Sequence, residues 1–184
     1  MNPPIQKLLN ELENFGKTNF TFNIPAETGK FFYNLVLISK AKNILEIGAS
    51  NGYSTIWLAE AAKQNNGKVT TIEISENKIK MAKENFNRAK LKNIKIIHGD
   101  ALKEIPKLKE KFDFMFIDAI KRDYIKYLKL NEKNLKKGAV IVADNAIIFK
   151  EKMKHYLNYL QNNKNYSSVL VPIGTGIEFS LKLR

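Results

Sequence analysis

The chain of 184 residues contains no cysteine, which removes disulfide frameworks, thiolate metal sites and cysteine nucleophiles together. Arginine is nearly missing as well: Arg88, Arg122 and Arg184 are the only three, so almost all of the formal net charge of +13 comes from lysine. No apolar run is long enough to span a bilayer, and the opening "MNPPIQKLLNELENFG" has no basic segment leading into a continuous apolar stretch. The expectation is a cytoplasmic protein with no membrane contact. Low-complexity tracts, internal repeats and linkers rich in Gly, Ser or Pro are absent, and at 44% hydrophobic residues the chain is expected to fold as one globular unit.

What is present in excess is positive charge. Long-range attraction of that sign suits nucleic acid, an anionic substrate or an acidic surface, without choosing among them. Lys126, Lys129, Lys133 and Lys137 recur at helical spacing beside apolar positions, as on a solvated helix face, and no aromatic residues interleave in a nucleic-acid motif. We read the charge chiefly as a compositional bias toward Lys, Asn and Ile.

Leu8, Leu9 and Leu12, after a double proline, predict a helix over 4–15, and Phe31, Phe32, Leu35 and Ile38 predict a second over 26–39. From "NILEIG" onward apolar runs alternate with amphipathic segments. Strands are expected at 43–48, 68–74, 94–98, 112–117 and 138–143, and helices at 53–65, 76–90, 101–108, 121–134 and 150–162. That alternation predicts an α/β fold with a parallel sheet and helices on both faces. The closing runs "SSVLVPI" and "IEFSLKLR", joined by "GTG", predict an antiparallel hairpin at one edge. The segment "GKTNFTFNI", residues 16–24, is the expected mobile piece.

Two groups of residues carry chemistry. In "NILEIGASNGYSTIWLAEAA", Gly48 and Gly52 fall where a strand turns tightly into a helix and a ligand can approach the backbone. Their Gly-x-x-x-Gly spacing is not the dinucleotide fingerprint, and Glu46 suits a cationic ligand. Glu73 ends the second strand, where a carboxylate can accept from both ribose hydroxyls, and Asp100 ends the third, where an adenine would lie. The second group starts with "AVIVADNAIIF", an apolar run interrupted by Asp144 and Asn145, two side chains that are costly to desolvate without partners. The preceding strand, "FDFMFIDA", also ends in a carboxylate, Asp118, with Lys121 one turn later. Strand ends of an open parallel sheet meet at one crevice, so Asp118, Asp144 and Asn145 present three oxygen donors that suit a hard cation such as Mg2+. Singly, each could instead cap a helix or close an Asx turn. His98 and His155 have no partners at ligand spacing, and Tyr53 and Trp57 are expected to pack within their helix.

The first group resembles class I methyltransferases that use S-adenosylmethionine. "LEIGASNGYS", "FIDAIKRDY" and "VADNA" together resemble the cation-dependent O-methyltransferases, the family of catechol O-methyltransferase, over about Ile24 to the end. The resemblance implies a Rossmann-like, seven-stranded, mostly parallel sheet in one domain, with residues 1–40 as a helical cap and 43–184 as the core. It aligns Asp118, Asp144 and Asn145 with metal ligands and Lys121 with the lysine that takes the hydroxyl proton. It aligns Ile24, Glu46, Gly48, Ser54, Glu73, Asp100, Ala101 and Asp118 with cofactor-contacting positions. It implies a small-molecule hydroxyl acceptor that is catechol-like or carries vicinal oxygens. A hydroxylated uridine in tRNA, or a non-catalytic cofactor-binding role, are the alternatives, and a homodimer is compatible with it. The chain departs from the family in a short N-terminal region, in Thr175 of "VPIGTGIEF", where many relatives carry an acid, and in lacking an acid aligned with the one that grips the second catechol hydroxyl.

Overall fold

The structure, a computed structural model, describes every residue except Phe20 and Phe22. The expected mobile segment therefore lies partly outside the described residues. Helices α1 (Pro3–Asn19) and α2 (Ala26–Ile38) lead into β1 (Asn43–Ile47). Then follow α3 (Tyr53–Gln64), β2 (Lys68–Glu73), α4 (Glu76–Arg88), β3 (Ile94–His98), α5 (Ala101–Glu104), β4 (Phe112–Ile117), α6 (Tyr124–Asn131), β5 (Leu135–Ala143), α7 (Lys150–Asn162), β6 (Tyr166–Val171) and β7 (Ile177–Lys182).

The strands form one seven-stranded sheet in the order β3-β2-β1-β4-β5-β7-β6. β1 to β5 are mutually parallel, while β7 runs antiparallel to both β5 and β6. The expected edge hairpin is present, with its second strand placed inside the first. Alternate strand residues feed two cores, as the two-residue side-chain period requires. Ile44, Phe114, Phe116, Val140 and Val142 pack under α1 to α4. Leu45, Ile47, Met115, Ile117 and Ile141 face α6 and α7. α4 shows the local logic: Ser75 caps its first turn by accepting from the Lys78 N–H, and Ile79, Ala82 and Phe86 recur on the buried face.

Several boundaries differ from the sequence expectation, beginning with the first helix, expected over 4–15, which runs on to Asn19. The helix expected over 101–108 stops at Glu104 and continues as a 3-10 turn over Ile105–Lys107, because Pro106 has no N–H to donate. The helix expected over 121–134 keeps only Tyr124–Asn131, with 3-10 turns on either side, and β5 starts at Leu135. Register with β4 slips between Phe112 and Phe114, and Gly138 at φ 80° takes up the irregularity. Lys126, Lys129, Lys133 and Lys137 are all exposed, as are His98 and His155, while Trp57 is buried. Among the described residues no helix is long and apolar enough to cross a membrane.

Candidate active site

The carboxyl ends of the five parallel strands are drawn together by four backbone bonds, one donated from just beyond each of β1, β3, β4 and β5. Gly48 N–H donates to Ile72 O, Gly99 to Glu73 O, Asp118 to Ile47 O and Asp144 to Ile117 O. The five tips open on a cavity of about 690 Å³ at the place where strand order reverses between β1 and β4. Both the size and the position are those at which open α/β sheets bind small ligands.

One end of the cavity is built from backbone. Gly48 has φ 98°, and a Cβ there would lie 2.2 Å from the Asp118 carbonyl oxygen, so only glycine lets the tips of β1 and β4 close on each other. The next residues, Ala49 to Asn51, form the floor. Glu73, buried at the tip of β2, accepts from Ser50 N–H at 2.9 Å through one oxygen, and from Ile74 and Ser75 N–H at 3.0 and 2.9 Å through the other. Three backbone donors thus fix the orientation of a carboxylate on the cavity wall. Asp100 caps α5 by accepting from Leu102 N–H and lines the wall with Ala101, Ser54 and Ile24.

Glu46 and Gly52 lie behind that wall. Glu46 shares the strand face of Ile44 and points at α3, where its two oxygens accept from Ser54 Oγ at 2.6 Å and Thr55 Oγ1 at 2.5 Å. Burial drives its pKa up to about 7, against the pull of those two hydroxyls, and the nearby Asp118 charge adds to the rise. Gly52, at φ 87°, is required by packing: a Cβ there would lie 2.5 Å from the Phe86 ring of α4.

The other end of the cavity belongs to β4 and β5. Asp118 Oδ1 accepts from Lys121 Nζ at 2.7 Å, and that Nζ lies 5.4 Å from the centroid of the Tyr124 ring and 6.0 Å from that of Phe149. Asp144 is only 3% exposed. Its Oδ1 accepts from Thr175 Oγ1 at 2.6 Å and its Oδ2 from Asn145 Nδ2 at 3.1 Å. Burial first, and the Asp118 charge second, raise the Asp144 pKa to about 6. A buried carboxylate beside another negative group is the arrangement a cation relieves. Among the described residues no three His, Cys, Asp or Glu side chains converge, so a third side-chain oxygen beside the two carboxylates could come only from the amide. Asn145 is oriented for it, since Nδ2 is bonded to Asp144 and Thr175 while Oδ1 makes no hydrogen bond among the described residues. Two carboxylates and an amide oxygen, with no sulfur or imidazole, fit a hard divalent cation.

The cavity thus brings together Ile24, Gly48, Ser54, Glu73, Asp100, Ala101, Asp118, Lys121, Asp144 and Asn145. It also has wall residues not foreseen from the sequence: Thr21 and Asn23 from the segment before α2, Lys78, Tyr127, Ile148, Phe149 and Thr175. Of these only Thr175 carried a signal, as a departure from relatives that have an acid there.

A parallel sheet ordered 3-2-1-4-5, extended by an antiparallel 7-6 pair and open at its switch point, is the architecture of the Rossmann-like class I methyltransferases. The O-methyltransferase TomG of Streptomyces achromogenes, solved in complex with SAM, superposes with a TM-score of 0.87 at 25% identity, over 100% of this chain and 91% of that one. An O-methyltransferase of Bacillus cereus, solved in complex with SAH, gives 0.84 at 26% identity over 99% and 91%. Within that class the chain belongs to the O-methyltransferase family, whose model matches residues 4–183. Curated relatives include the catechol O-methyltransferases of Niastella koreensis, 38% identical over 130 residues, and of Mycobacterium tuberculosis, 37% identical over 126. These alignments take in 68% and 67% of this chain but only 58% and 57% of the relatives' own lengths.

Proposed function

We propose that the protein is an S-adenosylmethionine-dependent, divalent-metal-assisted O-methyltransferase acting on a hydroxyl of a small catechol-like or vicinal-oxygen acceptor. The observation that carries this reading is the meeting of Asp118, Lys121, Asp144 and Asn145 in the same cavity as the Gly48 turn and Glu73. Relatives solved with SAM or SAH, and relatives named catechol O-methyltransferase, support it.

When bound, S-adenosylmethionine supplies a sulfonium methyl, and a cation held by Asp118, Asp144 and Asn145 supplies the positive charge that favours an ionised acceptor oxygen. Glu73 would accept from the ribose hydroxyls, its geometry set beforehand by three backbone donors. Asp100 and Ala101 would hold the base, and the backbone at Gly48 to Ser50 with Ile24 would hold the amino-acid part. Ser54 stands at the same wall with Glu46 behind it. Lys121 in its uncharged form takes the acceptor's hydroxyl proton at Nζ and becomes the ammonium that Asp118 and two aromatic rings hold in place. Ile120, Ile148 and Phe149 form the apolar side of the acceptor end.

The test is methyl transfer from labelled S-adenosylmethionine with Mg2+ present or chelated, offering a panel of small diols and bulk tRNA separately. Label is expected in acceptors with adjacent oxygens, falling at least about a hundredfold on chelation and in Asp144→Ala. Metal-independent turnover, or label in tRNA alone, would overturn the assignment.

A further inference from the structure

We propose that Thr175 is a positioning residue that sets the orientation of the candidate cation ligands, so that the turn between β6 and β7 completes the cation site. The inference rests on the proposed role of Asp144 and Asn145 as ligands and goes beyond it to a residue that is not itself a ligand.

The side chains of Thr175, Asp144 and Asn145 form a closed ring of hydrogen bonds. Thr175 Oγ1 donates to Asp144 Oδ1 at 2.6 Å and accepts from Asn145 Nδ2 at 2.9 Å, while Asn145 Nδ2 also donates to Asp144 Oδ2 at 3.1 Å. Within this ring the hydroxyl has a defined polarity: its single proton goes to the carboxylate, leaving a lone pair for the amide. An amide nitrogen, and not the amide oxygen, must therefore face Thr175, which turns Asn145 Oδ1 the other way. A valine of the same shape would leave the amide with one fewer reason to choose between its two orientations, one of which offers N–H groups to a cation. Asn145 already sits at φ 70°, a conformation most residues avoid, so its backbone is committed and its side-chain rotation is what remains to be fixed.

The backbone of the turn is fastened to the same loop. The Thr175 carbonyl accepts from Ile147 N–H at 3.2 Å, and Gly176 O accepts from Ala146 N–H at 2.8 Å. A Cβ at Gly176, which has φ 90°, would lie 2.4 Å from Ile147, so the close approach requires glycine there. On its far side Gly174 packs on α2, where an added Cβ would lie 2.7 Å from Thr28 Oγ1. The hydroxyl of Thr175 is thus delivered to the ligands by a turn wedged between α2 and the loop after β5. Groups that orient metal ligands commonly change affinity by about tenfold to a hundredfold when removed.

The experiment titrates Mn2+ into the purified full chain and reads free Mn2+ by electron paramagnetic resonance, with S-adenosylhomocysteine affinity and melting temperature measured in parallel. Thr175→Val is expected to weaken Mn2+ binding by at least about tenfold, while S-adenosylhomocysteine affinity stays within about twofold. Thr175→Ser, which restores the hydroxyl, is expected to recover most of the loss. Thr175→Ala puts less bulk into the turn and must show the same loss, so the inference remains testable if the valine variant fails to fold. Wild-type Mn2+ affinity in both Val and Ala variants, with Asp144→Asn abolishing it, would overturn the role of Thr175 and leave the cation site standing. A wild-type protein whose Mn2+ binding is weak and unaffected by Asp144→Asn would overturn both.

Discussion

At the scale of single residues, the site is a set of carboxylates whose surroundings have separated their tasks. Glu73 is held by backbone N–H groups, Asp118 by Lys121, and Asp144 by Thr175 and Asn145. Glu46 has only hydroxyl donors in a fully buried place, and so resists ionisation most. Its folded pKa of about 7 lies above the ordinary 4.5. As pH rises past 4.5 the unfolded chain releases this proton while the folded protein still holds it, so the group lowers stability progressively up to about pH 7. The favourable contribution is therefore complete below 4.5 and gone above 7, a swing of about 3 kcal/mol at most. Glu46→Gln is expected to flatten the wild-type decline across this window and to be the more stable protein above it. Urea unfolding at a series of pH values measures the difference, and parallel pH profiles for the two proteins would show that Glu46 ionises normally.

At the scale of elements, the half of the sheet that carries the cation ligands is tied together from beneath by one acidic residue. Glu132, in the turn after α6, accepts from Tyr159 OH of α7 at 2.5 Å and from Tyr166 OH at the start of β6 at 2.9 Å. Lys182 Nζ of β7 donates to the carbonyls of Glu132 and Leu135. Burial, reinforced by Glu132, keeps both phenols protonated, with Tyr159 pushed up to about 12 and Tyr166 also raised. Glu132→Ala should cost about 2 kcal/mol, since two bonds to a charged acceptor are lost, and Glu132→Gln should recover part of it. Thermal unfolding measures both, and amide exchange is expected to quicken first in β6 and β7. Elements of this kind show what a sequence gives up readily. β1 to β5 and the carboxylates at their tips were legible, because an apolar run ending in an acid has one direction in a parallel sheet and the tips must meet. The strand parity that Glu46 shares with Ile44 turns it toward α3, which the expectation of a cofactor contact did not use. Thr175 was visible only as a departure from relatives. Its partner Asp144 lies 31 residues earlier, and nothing local fixes the antiparallel pairing of β7 with β5, Ala143 opposite Glu178, that swings the turn over the site. The shortened α6 escaped because its flanking turns keep helical spacing without helical bonding.

At the scale of the whole molecule, the dominant feature is a net charge of +13 that the structure does little to neutralise. Eight of the 31 basic side chains form ion pairs among the described residues. Only the Lys121–Asp118 pair has both partners less than a quarter exposed. Exposed pairs of this kind contribute about 0–1 kcal/mol each, so they do not offset the mutual repulsion of the remaining lysines. That repulsion acts through solvent and is screened: between about 0.01 M and about 0.15 M salt the Debye length falls from about 30 Å to about 8 Å. The folded chain holds its charges closer together than the unfolded one, so screening relieves the folded state more. The melting temperature is therefore expected to rise over this range of sodium chloride, by about 2–4 °C for each kcal/mol of repulsion removed. The half-buried Lys121–Asp118 pair is less screened by salt and should contribute little to the change, so a variant lacking it should keep the slope, whereas replacing several exposed lysines by glutamine should reduce it. A melting temperature that stays flat or falls with added salt would mean that the acidic residues, fewer as they are, sit where local attraction already balances the excess.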